Sequence, residues 1–152
     1  MQSFPHRYTV NAVAGGSDEV HLTTARTPEL LSAAPIEFDG PGDRWSPETL
    51  LVAAVGDCFI LTFRAVARAS RLPWTSLQCD VTGTLDRVDR VTRFTAMEIR
   101  ARLAVPAGTD PGIATRTLER AEGACLVSRS LTATTHVVAD IEVAPELLRA
   151  TA

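Results

Sequence analysis

Residues 50–63, Leu-Leu-Val-Ala-Ala-Val-Gly-Asp-Cys-Phe-Ile-Leu-Thr-Phe, form the apolar run that decides the fold of this chain. Ser46-Pro47-Glu48 precedes it and is a strong helix start, because serine caps free amides, proline fits the first helical position and glutamate favours the positive end of the dipole. The pattern stays apolar on nearly all sides to about Ser70, which predicts a long helix that is buried on most faces. Leu72-Pro73-Trp74 ends it.

Alternating segments on both sides of this helix predict the rest of an α+β fold. Residues 8–14 and 19–25 flank the turn Gly15-Gly16-Ser17-Asp18 and predict a hairpin. A stretch rich in proline and glycine, residues 28–45, is expected to be an irregular loop. The later elements are two strands, a helix, a last strand and a short helical turn or frayed tail, at residues 77–86, 94–105, 110–126, 131–143 and 145–152. The predicted order is ββαββαβ.

Length and charge exclude several classes of protein. A chain of 152 residues is expected to be one domain, residues 1–152, that buries a core without disulfide or metal cross-links. The net charge of −3, with arginine far outnumbering lysine, offers no long-range attraction for nucleic acid or anionic lipid. The first residues lack the apolar stretch of a secretion signal. Gly56, Asp57 and Thr62 interrupt the longest apolar run, which is expected to be too polar and short to span a membrane. These features predict a soluble cytoplasmic protein.

The three cysteines are the residues most able to carry chemistry. In a reducing compartment they are metal ligands, catalytic thiols or buried hydrophobes rather than a disulfide framework. Cys58 in its apolar run is either inert packing, which burial statistics favour when it is taken alone, or one half of a redox pair. Cys125 at the end of the second predicted helix is either a mobile resolving thiol or a small residue that seals the helix against the sheet. Cys79 is in phase with Leu77 and Val81, which predicts a core position.

Glu48 and Cys58 lie on the same predicted helix. Their spacing separates them by about 15 Å along the axis and about 80° around it, so they cannot touch. Glu48 and Cys58 could both border one elongated pocket if the glutamate binds a cationic side chain that extends to the sulfur. Apolar surroundings raise the pKa of a thiol, as does a carboxylate such as Asp57 if it points the same way. Redox work at Cys58 therefore requires a positive group beside it.

Other kinds of site are not indicated. His6, His21 and His136 are scattered and no Cys-x-x-Cys pair occurs, so no metal site is predicted. The chain also lacks the Gly-x-Ser-x-Gly elbow of serine hydrolases and a phosphate-binding glycine loop.

From Tyr8 to about Val143 the chain resembles the OsmC/Ohr family, the osmotically inducible protein C and organic hydroperoxide resistance proteins. Residues 46–59 look like the family's Pro-Glu start and central helix with its cysteine, ten residues after the glutamate. Residues 121–130 look like the segment of the family's second cysteine, Cys-Pro-x-Ser, and the final strand follows directly, as in the family.

The resemblance implies an intertwined homodimer with the long helices at its centre and two active sites at the interface. It implies an antioxidant thiol peroxidase that reduces organic hydroperoxides or hydrogen peroxide in the oxidative stress response. Cys58 would attack the peroxide, Cys125 would form a disulfide with it, and Glu48 would orient an activating arginine. A dithiol such as a dihydrolipoyl protein would restore the thiols, and no metal, haem or flavin would be required. The apolar walls of the pocket are expected to be Phe38, Trp45 and Phe59.

The chain departs from the family pattern at the arginine of the hairpin turn. Ser17 occupies that place, and Arg44 and Arg26 are the candidate substitutes. Leu126 stands where the family has the proline that follows Cys125. A second hypothesis is therefore a non-catalytic OsmC-like protein that binds a small apolar ligand or senses redox state. The hypothesis of a structural protein with incidental buried cysteines ranks last. It would make the two family-like cysteine segments a coincidence.

Overall fold

The computed structural model describes residues 3–16 and 19–146. The chain forms two compact units, Met1–Leu51 and Val52–Ala152. Residues 147–152, part of the predicted tail, lie outside the described residues. The same holds for Ser17 and Asp18 in the predicted hairpin turn.

The first unit contains a small antiparallel sheet with the strand order β1 (Asn11–Ala14), β2 (Val20–Thr23) and β3 (Leu30–Ser32). The predicted hairpin is confirmed, because Asn11 pairs with Thr23 and Ala14 with Val20. The expectation of an irregular loop over residues 28–45 is wrong, since this segment contains a third strand and a 3-10 turn. This short strand pairs with β2 through backbone hydrogen bonds. Three residues are too few to show a strand pattern in the sequence. The elements are β1 Asn11–Ala14, β2 Val20–Thr23, β3 Leu30–Ser32 and the 3-10 turn Ile36–Phe38.

The first helix, α1, runs over Pro47–Ser70 and confirms the predicted start and end. At its start the Thr49 N–H donates to Ser46 Oγ at 3.2 Å, and the Ser46 N–H donates to Thr49 Oγ1 at 2.8 Å. This reciprocal pair is a capping box that satisfies amides left free at a helix N-terminus. The predicted serine cap is therefore present.

One stripe of α1 is fully buried, and it consists of Val55, Phe59, Phe63 and Ala67. The expectation of burial on most faces is wrong within this chain, because Leu61 is 53% exposed on another face. The expectation that the run is too short and polar for a membrane is also wrong. By length and composition alone α1 could cross one, although the core helix of a soluble protein has the same properties.

The second unit contains a mixed sheet with the order β4 (Ser76–Val88), β5 (Val91–Val105) and β6 (Thr134–Val143). Strands β4 and β5 form an antiparallel hairpin that closes at Asp89 and Arg90, both with positive φ. Strand β6 pairs parallel to β5, which requires a crossover connection, and two helices supply it. The predicted strands are confirmed with shifted ends. The predicted helix over residues 110–126 is instead two helices, because Cys125 is extended at φ −65° and ψ 113°. The elements are β4 Ser76–Val88, β5 Val91–Val105, α2 Pro111–Ala124, α3 Leu126–Arg129 and β6 Thr134–Val143.

Two glycines allow α1 to lie close against β4. A Cβ atom at Gly83 would lie 2.7 Å from Val52 Cγ2, and one at Gly56 would lie 3.0 Å from Val81 Cγ2. Glycine is the residue that permits such an approach of helix and strand. Cys58 follows Gly56 by two residues, so it lies beside this close approach.

Candidate functional site

The structure brings together two cysteines that are far apart in sequence. Cys58 lies in the middle of α1, and Cys125 lies at the junction of α2 and α3. Both are free thiols, and the Cys125 thiol donates a hydrogen bond to the sulfur of Cys58. Cys125 is fully buried, whereas Cys58 is half-buried. Of the pair, Cys58 is therefore the sulfur that a small molecule can approach.

The sulfur of Cys58 faces the first turn of α3. The Val127 N–H donates to it at 3.5 Å, the Leu126 N–H also donates, and Thr62 Oγ1 lies 4.0 Å away. These amides are available because the first N–H groups of a helix have no partner within the helix. Burial raises the pKa of Cys58. The hydrogen bonds from Val127, the Cys125 thiol, Thr62 and Leu126 outweigh burial and lower this pKa below its ordinary value.

Cys125 is shifted in the opposite direction. Burial raises its pKa, and the negative charge that develops on Cys58 raises it further. Ser128 opposes this through its N–H and through its hydroxyl, which donates to Cys125 Sγ at 3.3 Å, but the pKa of Cys125 remains raised. The pair is therefore asymmetric. The pKa of Cys58 is lowered, whereas that of Cys125 is raised, so Cys58 is the thiol of the pair that ionises more readily.

The third cysteine does not take part in this arrangement. Cys79 lies half-buried in β4, where burial and then the charge of Asp80 raise its pKa to about 11. It is unreactive at neutral pH for that reason. Asp57, which directly precedes Cys58, is exposed and is not among the groups that shift the pKa of Cys58.

Glu48 and the two candidate arginines all lie in the first unit. Glu48 Oε2 is buried and has no hydrogen-bond partner among the described residues. Arg44 Nε pairs with Glu19 Oε1 at 2.9 Å, and its Nη1 pairs with Asp43 Oδ2 at 3.0 Å. Arg26 is exposed in the turn after β2 at φ 67°. Within residues 3–16 and 19–146, neither arginine forms an ion pair with Glu48.

The three aromatic residues expected to line a pocket have different surroundings. Phe59 is fully buried in the core stripe of α1, which is a packing position. Phe38 is 52% exposed and Trp45 is 48% exposed. Trp45 lines an open groove of about 660 Å³ in the first unit, together with Leu30, Leu31, Gly42, Asp43, Arg44 and Thr49.

The sequence reasoning missed the groups that lower the pKa of Cys58. It searched for a cation, whereas the structure supplies the backbone amides of Leu126 and Val127, which have no residue signature. Thr62 and Ser128 were also missed, although each follows its cysteine by one helical turn, a spacing that places side chains side by side. That spacing is the signal that could have identified them.

The histidines do not gather around a metal site. Among residues 3–16 and 19–146, no group of three or more His, Cys, Asp or Glu side chains is placed to hold a metal ion. His21 Nδ1 instead lies 3.0 Å from Glu29 Oε1 on the first sheet.

Removing the Leu126 amide should slow alkylation of Cys58 at neutral pH. Leu126→Pro deletes the N–H donor, so the pKa of Cys58 should rise and the thiolate fraction should fall. One hydrogen bond of about 0.5–1.5 kcal/mol corresponds to a rate roughly two- to tenfold lower. The measurement is the rate of iodoacetamide labelling of Cys58 against pH, read by peptide mass spectrometry, with Cys79 as the slow internal reference.

The fold should tolerate this substitution. Proline fits the first position of a helix, and Cys125 already has the extended backbone that a residue before proline adopts. Leu126→Ala is the matched control, because it removes the same exposed side chain and keeps the amide. Well above the pKa values of both proteins the rates should converge. An equal slowing in Leu126→Ala and Leu126→Pro would contradict a role for the amide.

Comparisons with known proteins agree with the fold. A stretch of 102 residues is 30% identical to YmaD of Bacillus subtilis (strain 168), described as an uncharacterized protein, and covers 64% of this chain and 67% of YmaD. An OsmC-like protein of unknown function from Vibrio cholerae has a TM-score of 0.75 at 17% identity, over 87% of this chain and 100% of that structure. An organic hydroperoxide resistance protein, OsmC, from Legionella pneumophila has a TM-score of 0.71 at 23% identity, over 91% and 100%. At these identities the structural likeness shows the fold.

The family model for OsmC-like proteins matches residues 40–140, well over half of the chain. The match includes both members of the cysteine pair, and it agrees with the α+β arrangement of two sheets and three helices seen in the related structures. Some structures with this fold are named organic hydroperoxide resistance proteins. The chain therefore belongs to the OsmC-like protein family.

Proposed function

We propose that this protein is a cysteine-based thiol peroxidase that reduces organic hydroperoxides, and hydrogen peroxide as a smaller substrate of the same class. The observation that carries the proposal is the asymmetric thiol pair. Cys58 has a lowered pKa and is partly accessible, whereas the adjacent Cys125 is buried and has a raised pKa. A nucleophilic thiolate beside a protonated thiol is the arrangement that a two-cysteine peroxidase needs.

The proposed reaction proceeds in three steps, which are oxidation of Cys58, disulfide formation and reduction of the disulfide. The Cys58 thiolate attacks the distal oxygen of the hydroperoxide, the O–O bond breaks, and the alkoxide takes up a proton and leaves as an alcohol. The resulting sulfenic acid condenses with the Cys125 thiol, which forms the disulfide and releases water. A dithiol, such as a dihydrolipoyl protein, then reduces this disulfide by thiol–disulfide exchange and is itself oxidised to a disulfide.

Glu48 has a proposed role in holding an activating arginine. A buried carboxylate oxygen without a hydrogen-bond partner costs folding free energy. We therefore propose that Glu48 Oε2 accepts a hydrogen bond from an arginine. Arg44 and Arg26 remain the candidates, although Arg44 would have to leave Glu19 and Asp43. We further propose Phe38 and Trp45 as apolar contacts for the peroxide.

We also propose a homodimer with α1 at its interface. Leu61 and several alanines are exposed on α1, and the fully buried stripe leaves these apolar side chains uncovered. Both units are proposed to belong to one OsmC-like domain, because the family match crosses the boundary at Leu51. A cytoplasmic location without nucleic-acid or membrane partners completes the proposal.

The test is oxidation of the wild-type protein by one equivalent of cumene hydroperoxide, followed by intact mass and non-reducing peptide mapping. We expect the rapid loss of two hydrogens and a linked peptide that joins Cys58 to Cys125. A protein that consumes no peroxide and forms no such link would overturn the proposed mechanism.

A second candidate function is redox sensing or small-ligand binding without catalysis. The observation that favours it is that, among the described residues, no arginine shifts the pKa of Cys58. The open groove beside Trp45 provides apolar surface for a ligand. Turnover distinguishes the two candidates, because a sensor forms the disulfide once, whereas a peroxidase consumes many equivalents of peroxide when a dithiol is present.

A further inference from the structure

A second cavity lies at the end of α1, away from the cysteine pair, and is rich in positive charge. Its volume is about 520 Å³, and Arg64, Arg68 and Arg71 all line it. The remaining walls are apolar or aromatic and consist of Ala67, Leu72, Pro73 and Trp74. The peroxidase mechanism uses none of these residues.

Within the part of the chain that the structure describes, no carboxylate forms an ion pair with the arginines of this cavity. The sequence contains no aspartate or glutamate between Asp57 and Asp80, although the whole chain carries a net charge of −3. The ion pairs among the described residues involve His21, Arg44, Arg100 and Arg102 instead of the three cavity arginines. These arginines are therefore available to pair with an anion from solution.

The helix dipole explains only part of this cluster. Arginine in the last turn of a helix is stabilised by the partial negative charge there, which accounts for Arg68 and for Arg71 just beyond it. Arg64 lies more than one turn before the end of α1, where the dipole has little effect. Arg64 and Arg68 are four residues apart on one face, and like charges at that spacing repel each other.

The backbone at Arg71 adds an independent observation. Arg71 has φ 55° and terminates α1, with its N–H donating to Arg68 O at 3.2 Å and the Leu72 N–H donating to Ala67 O at 2.9 Å. Glycine is the preferred residue at such a helix end, because a side chain is disfavoured in the left-handed region. The chain nevertheless carries an arginine here, and its side chain lines the cavity.

Trp74 gives the cavity a rigid aromatic wall. Its ring packs edge-to-face against Phe63, with ring centroids 5.3 Å apart and an interplanar angle of 77°. Phe63 is fully buried, so it fixes the position of the half-buried indole. One cavity therefore combines guanidinium groups, which suit the oxygens of phosphate and carboxylate, with an apolar surface that suits a ring or an acyl chain.

We propose that this cavity binds an organic phosphate or carboxylate, with its oxyanion on Arg64, Arg68 and Arg71 and its apolar part against Trp74. The probe is phenyl phosphate, titrated at constant ionic strength set with sodium chloride. The chain has two tryptophans, so the Trp45→Phe protein reports on Trp74 alone through its fluorescence. We expect a saturable change, and tighter binding of phenyl phosphate than of inorganic phosphate in a competition titration.

Arg71→Gly is the decisive variant, because glycine is favoured at φ 55° and the fold should keep or gain thermal stability. Loss of one charge-assisted contact should weaken phenyl phosphate binding by about tenfold or more. Arg90→Gly is the matched control, since it makes the same change at a positive φ in the β4–β5 turn, outside the cavity. Equal weakening in the two variants, or no saturable binding by the Trp45→Phe protein, would overturn the proposal. Equal affinity for phenyl phosphate and inorganic phosphate would overturn the role of Trp74.

Discussion

Replacing Cys58 by serine should lower the rate of cumene hydroperoxide consumption by at least roughly a thousandfold, since the variant loses its only nucleophile in the proposed mechanism. A serine hydroxyl stays protonated at neutral pH and does not attack the O–O bond. The hydroxyl is close in size to the thiol and can still accept the Val127 N–H, so the local structure should persist. The measurement is peroxide loss in the presence of excess dithiol, with the melting temperature as a check on folding.

Cys79→Ser provides the matched control for this variant. It makes the same chemical change at a half-buried thiol whose pKa is raised to about 11, and it should leave peroxide consumption unchanged. The assignment of Cys58 as the nucleophile would fail if Cys58→Ser still turned over peroxide. It would also fail if Cys79→Ser were the variant that lost activity while remaining folded.

The activation of Cys58 by amides also sets the expected pH dependence of the reaction. Because the pKa of Cys58 is lowered, its thiolate should persist at lower pH than that of an ordinary cysteine, and the oxidation rate should fall only when the pH drops through this lowered pKa. The raised pKa of Cys125 acts in the other sense and keeps that thiol protonated at neutral pH. One neutral pH range therefore suits both roles.

Local signals in the sequence were sufficient for most of the fold. Ser46-Pro47 predicted the start of α1, and the cap observed at Ser46 and Thr49 is the local interaction that this pattern encodes. The alternation over residues 94–105 predicted β5, and its buried members do lie on one face. Such signals are reliable because each depends on neighbouring residues only.

Long-range pairing was not available from these signals. The parallel pairing of β6 with β5 directs the chain through α2 and α3 and places Cys125 beside Cys58, and no local pattern encodes that proximity. The short strand β3 depends on β2 in the same way. For the thiol pair, the family resemblance supplied the expectation that composition and spacing left open.

The candidate arginines show that closeness in sequence does not by itself determine which ion pair forms. Arg44 is close to Glu48 along the chain, but its guanidinium pairs with Glu19 and Asp43. Side-chain pairing depends on which strands and loops are adjacent, and the nearest charge in sequence is often not the nearest in space. The N–H groups at the start of α3 had no sequence signature, because every residue except proline carries a backbone N–H.

Replacing Cys125 by serine should separate the first chemical step from turnover. Cys58 keeps the Val127 and Leu126 amides, so one equivalent of peroxide should still oxidise it, and its mass should increase by one oxygen instead of decreasing by two hydrogens. Turnover with a dithiol should fall by at least about a hundredfold. An adjacent thiol reacts at an effective concentration far above the roughly millimolar level of an external reductant.

Excess peroxide should then inactivate the Cys125→Ser protein irreversibly, because an unresolved sulfenic acid is oxidised further to the sulfinic acid. Dimedone trapping followed by peptide mapping would identify the sulfenic acid on Cys58, with Cys79→Ser treated in parallel. Wild-type turnover by Cys125→Ser would mean that the dithiol reduces the sulfenic acid directly, and Cys125 would then have no resolving role. The hydrogen bond between the two thiols argues for the opposite result, since it already places the reacting sulfurs together before oxidation.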